Sequence, residues 1–142
     1  MIILCSLLVL LLQFKGRVTA VPILPTKVTV EITNKLNNES LTLHCKDKYN
    51  DKGVVTLNVN KTYRFRFYPN YFFPLTLYFC HFVWIEAEYY FNIYVQKRDG
   101  YCFHNRCPWE VLENGPCKIK SESRECFIWK TSYVEKNNTF SS

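Results

Sequence analysis

The sequence predicts an all-β domain, a small disulfide-stapled β-sandwich of about eight to nine antiparallel strands. Apolar residues recur at every second position along most of the chain, and turn-forming residues interrupt them at intervals of about 8–15 residues. Six of the seven cysteines follow an apolar leader, which points to an oxidising compartment.

The leader, Met1 to Leu12, reads MIILCSLLVLLL, and small residues follow at Val18-Thr19-Ala20. This is the pattern of a secretory signal, and it is shorter than the roughly 18 apolar residues a membrane span needs. Lys15 and Arg17 lie after the apolar core rather than before it, so the free amino terminus is the positive end. The expected organisation is a signal over residues 1–20, the sandwich over 21–134 and a flexible tail over 135–142. Cleavage after Ala20 removes Cys5, Lys15 and Arg17, leaving six cysteines and 16 basic against 12 acidic residues, a net charge of +4.

Val28, Val30 and Ile32 alternate with Thr29, Glu31 and Thr33 and predict the first strand; Leu41, Leu43 and Cys45 predict the second. A polar turn from Asp47 to Gly53 precedes Val55, Leu57 and Val59, and Asn60-Lys61 leads into Tyr63, Phe65 and Phe67. Pro69-Asn70 and Pro74 break the chain before Leu75 to Trp84, which is apolar on both faces and reads as a central strand. Ile85 to Glu88 is expected to be a tight turn or bulge before Phe91, Ile93 and Val95. A charged, cysteine-bearing loop runs from Lys97 to Arg106. Trp109 to Leu112 and Cys117 to Lys120 then flank Asn114-Gly115, a hairpin signal, and a last strand covers Cys126 to Tyr133.

With 11 Phe, 10 Tyr and 3 Trp, the chain can build a real core, since each ring buries roughly 150–250 Å². One domain of this size excludes a multi-domain enzyme, and the modest charge is no nucleic-acid footprint. No later apolar run is long enough for a stable membrane insertion. Nucleophile elbow, metal-binding His-Glu run and phosphate-cradling glycine loop are all missing from the sequence, so no catalytic, cofactor or metal site is predicted. A ribonuclease would need two histidines and a cation. Of the candidates, alternation puts His44 on the outward face, His81 among apolar residues and His104 in a loop, with Arg64 and Arg66 as cations; no motif unites two histidines.

Cys45, Cys80, Cys102, Cys107, Cys117 and Cys126 allow fifteen full pairings. A zinc site from Cys102, His104 and Cys107 lacks the close paired-cysteine spacing such sites use. Asn38, Asn60 and Asn137 head sequons for N-glycosylation, the first two at predicted strand junctions.

Several runs, in order, are similar to the plant self-incompatibility proteins, or S-protein homologues. They are Val30-Glu31-Ile32-Thr33-Asn34, Leu41 to Lys46, Tyr63 to Phe67 with Pro69-Asn70-Tyr71-Phe72, Thr76 to Phe82, Phe91 to Val95 with Arg98-Asp99, Cys107-Pro108-Trp109 and Gly115-Pro116-Cys117. The resemblance implies a secreted, extracellular sandwich of about eight strands stapled by Cys45, Cys80, Cys107 and Cys117. It leads us to expect Cys45–Cys117 and Cys80–Cys107, with Cys102 and Cys126 left for a third bridge.

The resemblance also implies a recognition ligand read by a cell-surface protein receptor. In the founding members this pistil signal triggers calcium entry and arrest of incompatible pollen. No catalysis and no nucleic-acid partner are expected, and a monomer is favoured. The expected partner-binding loop carries Lys97, Arg98, Asp99, His104, Asn105 and Arg106, anchored by Cys102 and Cys107. Replacing Arg98, Asp99 and Arg106 together by alanine would weaken receptor binding and leave the thermal midpoint nearly unchanged, the alternative being a plain solvated loop. Lys46, Asp47, Lys48, Asn50, Asp51 and Lys52 form a second candidate loop. The alternative is a defence or toxin-like protein acting on membranes or foreign proteins, with Arg64, Arg66, Lys118 and Lys120 as a lipid-facing patch.

Overall fold

The computed structural model describes residues 24–130; the expected signal, the expected tail and the Asn137 sequon lie outside them. The described residues form β1 (Val28–Asn34), β2 (Leu41–Lys46), β3 (Asp51–Leu57), β4 (Thr62–Phe67), β5 (Leu77–Trp84), β6 (Ala87–Val95), a helical turn α1 (Gln96–Asp99), β7 (Arg106–Leu112), β8 (Gly115–Ile119) and β9 (Arg124–Cys126). One sheet has the order β4-β1-β7-β8-β9 and the other β3-β2-β5-β6. The alternating residues behave as the pattern predicts. Val28, Val30 and Ile32 of β1, Leu41 and Leu43 of β2, Phe82, Ile93 and Trp109 are all buried in the core.

One pairing departs from the antiparallel expectation: β1 and β7 run parallel, from Thr29 opposite Arg106 to Asn34 opposite Val111. The connection from β6 to β7 changes sheets, so β7 is not bound to the hairpin geometry of consecutive strands. β3 begins at Asp51, inside the predicted polar turn, because a bulge between His44 and Lys46 lets Lys46 pair with Asp51. Ile85-Glu86 is a two-residue turn, with Trp84 opposite Ala87 and Glu86 at φ 64°.

The β7–β8 turn is Glu113-Asn114, and Gly115 already pairs with Leu112. The glycine is needed for a different reason from the one the Asn-Gly signal suggests. It sits at φ 154°, and a Cβ there would come within 1.6 Å of the Phe127 carbonyl oxygen. That close approach lets the chain after β9 run on beside β8, through Phe127 N–H to Pro116 O (2.9 Å) and Trp129 N–H to Asn114 O (3.3 Å). Trp129 then closes the core, stacked on Tyr89 at 4.8 Å and 9° and in contact with Phe82.

All six expected cysteines are cross-linked, in a different pattern from the expected one. The bonds are Cys45–Cys80, Cys102–Cys107 and Cys117–Cys126; Cys45–Cys117, Cys80–Cys107 and Cys102–Cys126 do not form. Register explains this. Cys45 lies directly opposite Cys80 on β2 and β5, and Cys117 opposite Cys126 on β8 and β9, with Cα atoms 4.0 Å apart in each pair. The expected partners are not register neighbours: Cys45 and Cys80 belong to one sheet and Cys107 and Cys117 to the other, so each strand cysteine of β2, β5, β8 and β9 bonds to the one facing it on the adjacent strand. Cys102 and Cys107 instead close their own five-residue span.

Candidate recognition surface

Strand directions sort the connections into two groups. At one end lie the links 35–40, 58–61, 85–86 and 113–114; at the other lie 47–50, 68–76, 96–105 and 120–123. Asn38 and Asn60 are exposed in turns of the first end, both at positive φ. Buried Asn34 ties that end together: its amide donates to Glu39 O and Leu57 O, and its Oδ1 accepts from Leu36 N–H. Both candidate loops lie at the opposite end.

The loop from Lys97 to Arg106 does not present its charges uniformly. Lys97 is exposed, but the Asp99 side chain is fully buried. Its carboxylate accepts from Arg98, from Lys118 Nζ (2.6 Å) and from the Val95 N–H (2.8 Å). Burial pushes the Asp99 carboxyl up; the hydrogen bonds from Arg98, Lys118 and Val95 outweigh it and hold the group below its ordinary value. Arg98 also donates to Asn92 O (2.9 Å) and lies over the rings of Phe91, Trp109 and Phe127 at 5.2–5.5 Å. Arg98 and Asp99 therefore fasten α1 to the core, and the expected neutrality of their replacement is corrected. They were misread because nothing local announces Lys118, which arrives from β8.

Arg106 points to the outer face of the five-stranded sheet, where Arg106 Nε (2.6 Å) and Arg64 Nε (2.8 Å) grip opposite oxygens of buried Glu31. The hydrogen bond from Arg106 holds the Glu31 carboxyl low, against burial, with Arg64 adding to it. The part of the loop left to face a partner is its tip. Phe103 is 60% exposed with its ring against His104, and Cys102, His104 and Asn105 all take positive φ. The Cys102–Cys107 bond and the Thr29 N–H to Asn105 O contact hold this tip in place. With Cys102 and Cys107 bonded to each other, they are unavailable to the zinc alternative.

The second loop also engages its acids in local hydrogen bonds. Asp47 accepts from the backbone N–H groups of Tyr49 and Asn50, and Asp51 from Gly53 N–H and His44 Nε2. Beside it stands a feature the sequence reading missed. The link 68–76 exposes Tyr68, Tyr71, Phe72, Phe73 and Leu75, with Phe72 at 81%. Its backbone is nonetheless well braced. Asn70 Oδ1 accepts from Phe72 and Phe73 N–H, Thr76 Oγ1 accepts from Asn70 N–H, and Gln96 Nε2 donates to Asn70 O. The available signal was a cluster of large apolar residues between Pro69 and Pro74, where no strand exists to bury them.

The structure also unites two histidines. His44 and His81 lie opposite each other on β2 and β5, facing outward. Both imidazoles are engaged by flanking carboxylates, His44 with Asp51 and His81 with Glu88, each at 2.6 Å, and His81 stacks on Tyr90. His104 is at the loop end, and Arg64 belongs to the other sheet.

Residues 29–130 match the family model described as plant self-incompatibility protein S1. The chain belongs to that family. Among its relatives in Arabidopsis thaliana, S-protein homolog 2 is 40% identical over 119 residues, covering 78% of this chain and 73% of the relative. S-protein homolog 5 is 38% identical over 102 residues, covering 71% and 77%. A solved self-incompatibility protein homologue, from a family described as small, highly stable, secreted plant proteins, has the same fold. It superposes with a TM-score of 0.58 at 16% identity and covers 75% of this chain and 97% of its own.

Proposed function

We propose that this member of the self-incompatibility family is a secreted, monomeric ligand that acts on a cell-surface protein receptor and performs no chemistry. The single observation that supports this most is the gathering of the 47–50, 68–76 and 96–105 links at one end of a cross-linked sandwich, away from Asn38 and Asn60. Bracing in the free state reduces the ordering entropy lost on binding. Sugars at the two sequons would leave that end open. Secretion accords with the leader and with what is said of the solved homologue. Pollen rejection is the specific role the family suggests, and transcript in the pistil is the expected correlate.

A second reading, a defence protein acting on foreign membranes, draws on the exposed Phe72 and Phe73 of the 68–76 link. Labelled folded protein should bind intact plant cells saturably, compete with unlabelled protein, and lose its sites when the cells are shaved with protease. Binding that is unsaturable, survives shaving and follows anionic lipid content would favour the membrane reading instead.

A further inference from the structure

We propose that the groove between the 47–52 and 68–77 segments binds an acidic peptide segment bearing an aromatic anchor, contributed by the receptor's extracellular part. This rests on the receptor reading above and says where and by what chemistry the partner is held.

The groove has a volume of about 900 Å³ and opens at the loop end of the sandwich. Four cations line it, Lys27, Lys48, Lys52 and Arg66, against one carboxylate, Asp47. Four positive charges against one negative leave a positive excess, and the N–H groups of Tyr49 and Asn50 hold that one carboxylate in place. Aromatic faces position the ammonium groups: Lys27 lies over Tyr68 at 5.2 Å, Lys48 over Tyr49 at 5.4 Å and Lys52 over Tyr78 at 5.7 Å. The charges thus stand on an apolar wall.

Apolar surface is exposed along the same opening, with Tyr49 at 82% and Leu75 at 71%. Leu75 belongs to the link held by Asn70, Thr76 and Gln96, so its exposure is built in. An apolar display rimmed by polar groups marks an interaction site. Carboxylates of a partner would pair with the cations, and an aromatic ring would cover Leu75 and Tyr49. Charge complementarity favours a polypeptide: four cations around one opening can each be met by the spaced carboxylates of an acidic segment lying along the groove, with its aromatic ring on Leu75 and Tyr49.

The probes are a short Glu-rich peptide with one central Phe, its Gln-for-Glu counterpart, and vesicles of phosphatidylcholine with phosphatidylserine. Wild-type protein should bind the acidic peptide, more weakly as salt rises, and bind the Gln peptide at least about tenfold more weakly. Amide shifts on titration should fall on residues 47–52 and 66–79. Lys48→Glu with Arg66→Glu should weaken peptide binding at least about tenfold, while keeping the wild-type circular dichroism spectrum.

Shifts elsewhere, no binding of the acidic peptide, or vesicle binding without peptide binding would each overturn the proposal. The cell-binding assay separates the two levels. If the double variant binds cells as wild type does, the groove is wrong and the receptor reading stands. If wild-type protein finds no protease-sensitive sites, the receptor reading itself fails.

Discussion

Asp99→Ala is expected to destabilise the fold by about 3 kcal/mol, because it removes the buried carboxylate that Lys118, Arg98 and the Val95 N–H all bond and leaves Lys118 without its counter-charge. The Lys118 side chain is only 12% exposed and has Asp99 as its ion-pair partner, and Arg98 would keep its stacking but lose its anion. For a domain of this size that is a fall in Tm of about 10 °C or more. A double variant, Asp99→Leu with Lys118→Met, should recover part of the loss, since it removes both charges together. Thermal melts of the two variants check this; a single variant that melts like wild type would return the loop's acid to the surface.

The same cluster sets an acid limit. The folded Asp99 carboxyl titrates below its value in the unfolded chain, so its contribution is complete above the ordinary aspartate range. It is lost as pH falls through the folded value. The gap in Tm between wild type and Asp99→Asn should therefore be widest near neutrality and close at strongly acid pH.

Removing the Cys45–Cys80 bond by replacing both residues with Ala is expected to cost about 4 kcal/mol, and removing Cys102–Cys107 only about 2. The difference follows from the chain each bond closes, 35 residues against 5. Both cysteines of the longer bond are fully buried, so loss of packing adds to the same side. A non-reduced digest should yield one linked pair of peptides carrying Cys45 and Cys80. A digest linking Cys45 to Cys117, or equal melts for the two double-alanine variants, would contradict the register.

Much of the fold was legible because alternation is local. Val28-Val30-Ile32 and Leu41-Leu43-Cys45 announce their faces within six residues, and the core follows from them. Partners that meet across strands were not legible. Cys45 meets Cys80, His44 meets His81, and Lys118 reaches Asp99 only once register is known.

The recognition end was half visible. Charge marked 47–52 and 97–106 as loops, but charge alone does not distinguish Lys97, which faces water, from Asp99, which is enclosed by the core. The aromatic link was hidden for the opposite reason. Phe72 and Phe73 look like core residues, and only the absence of a strand at 68–76 shows that nothing buries them.

Everything functional here depends on that end being formed before any partner arrives. Backbone ¹⁵N relaxation on the free protein measures this directly. Residues 68–76 and 102–106 should show order parameters near 0.85, like the strands beside them. Values below about 0.6 across both segments would contradict a preformed surface.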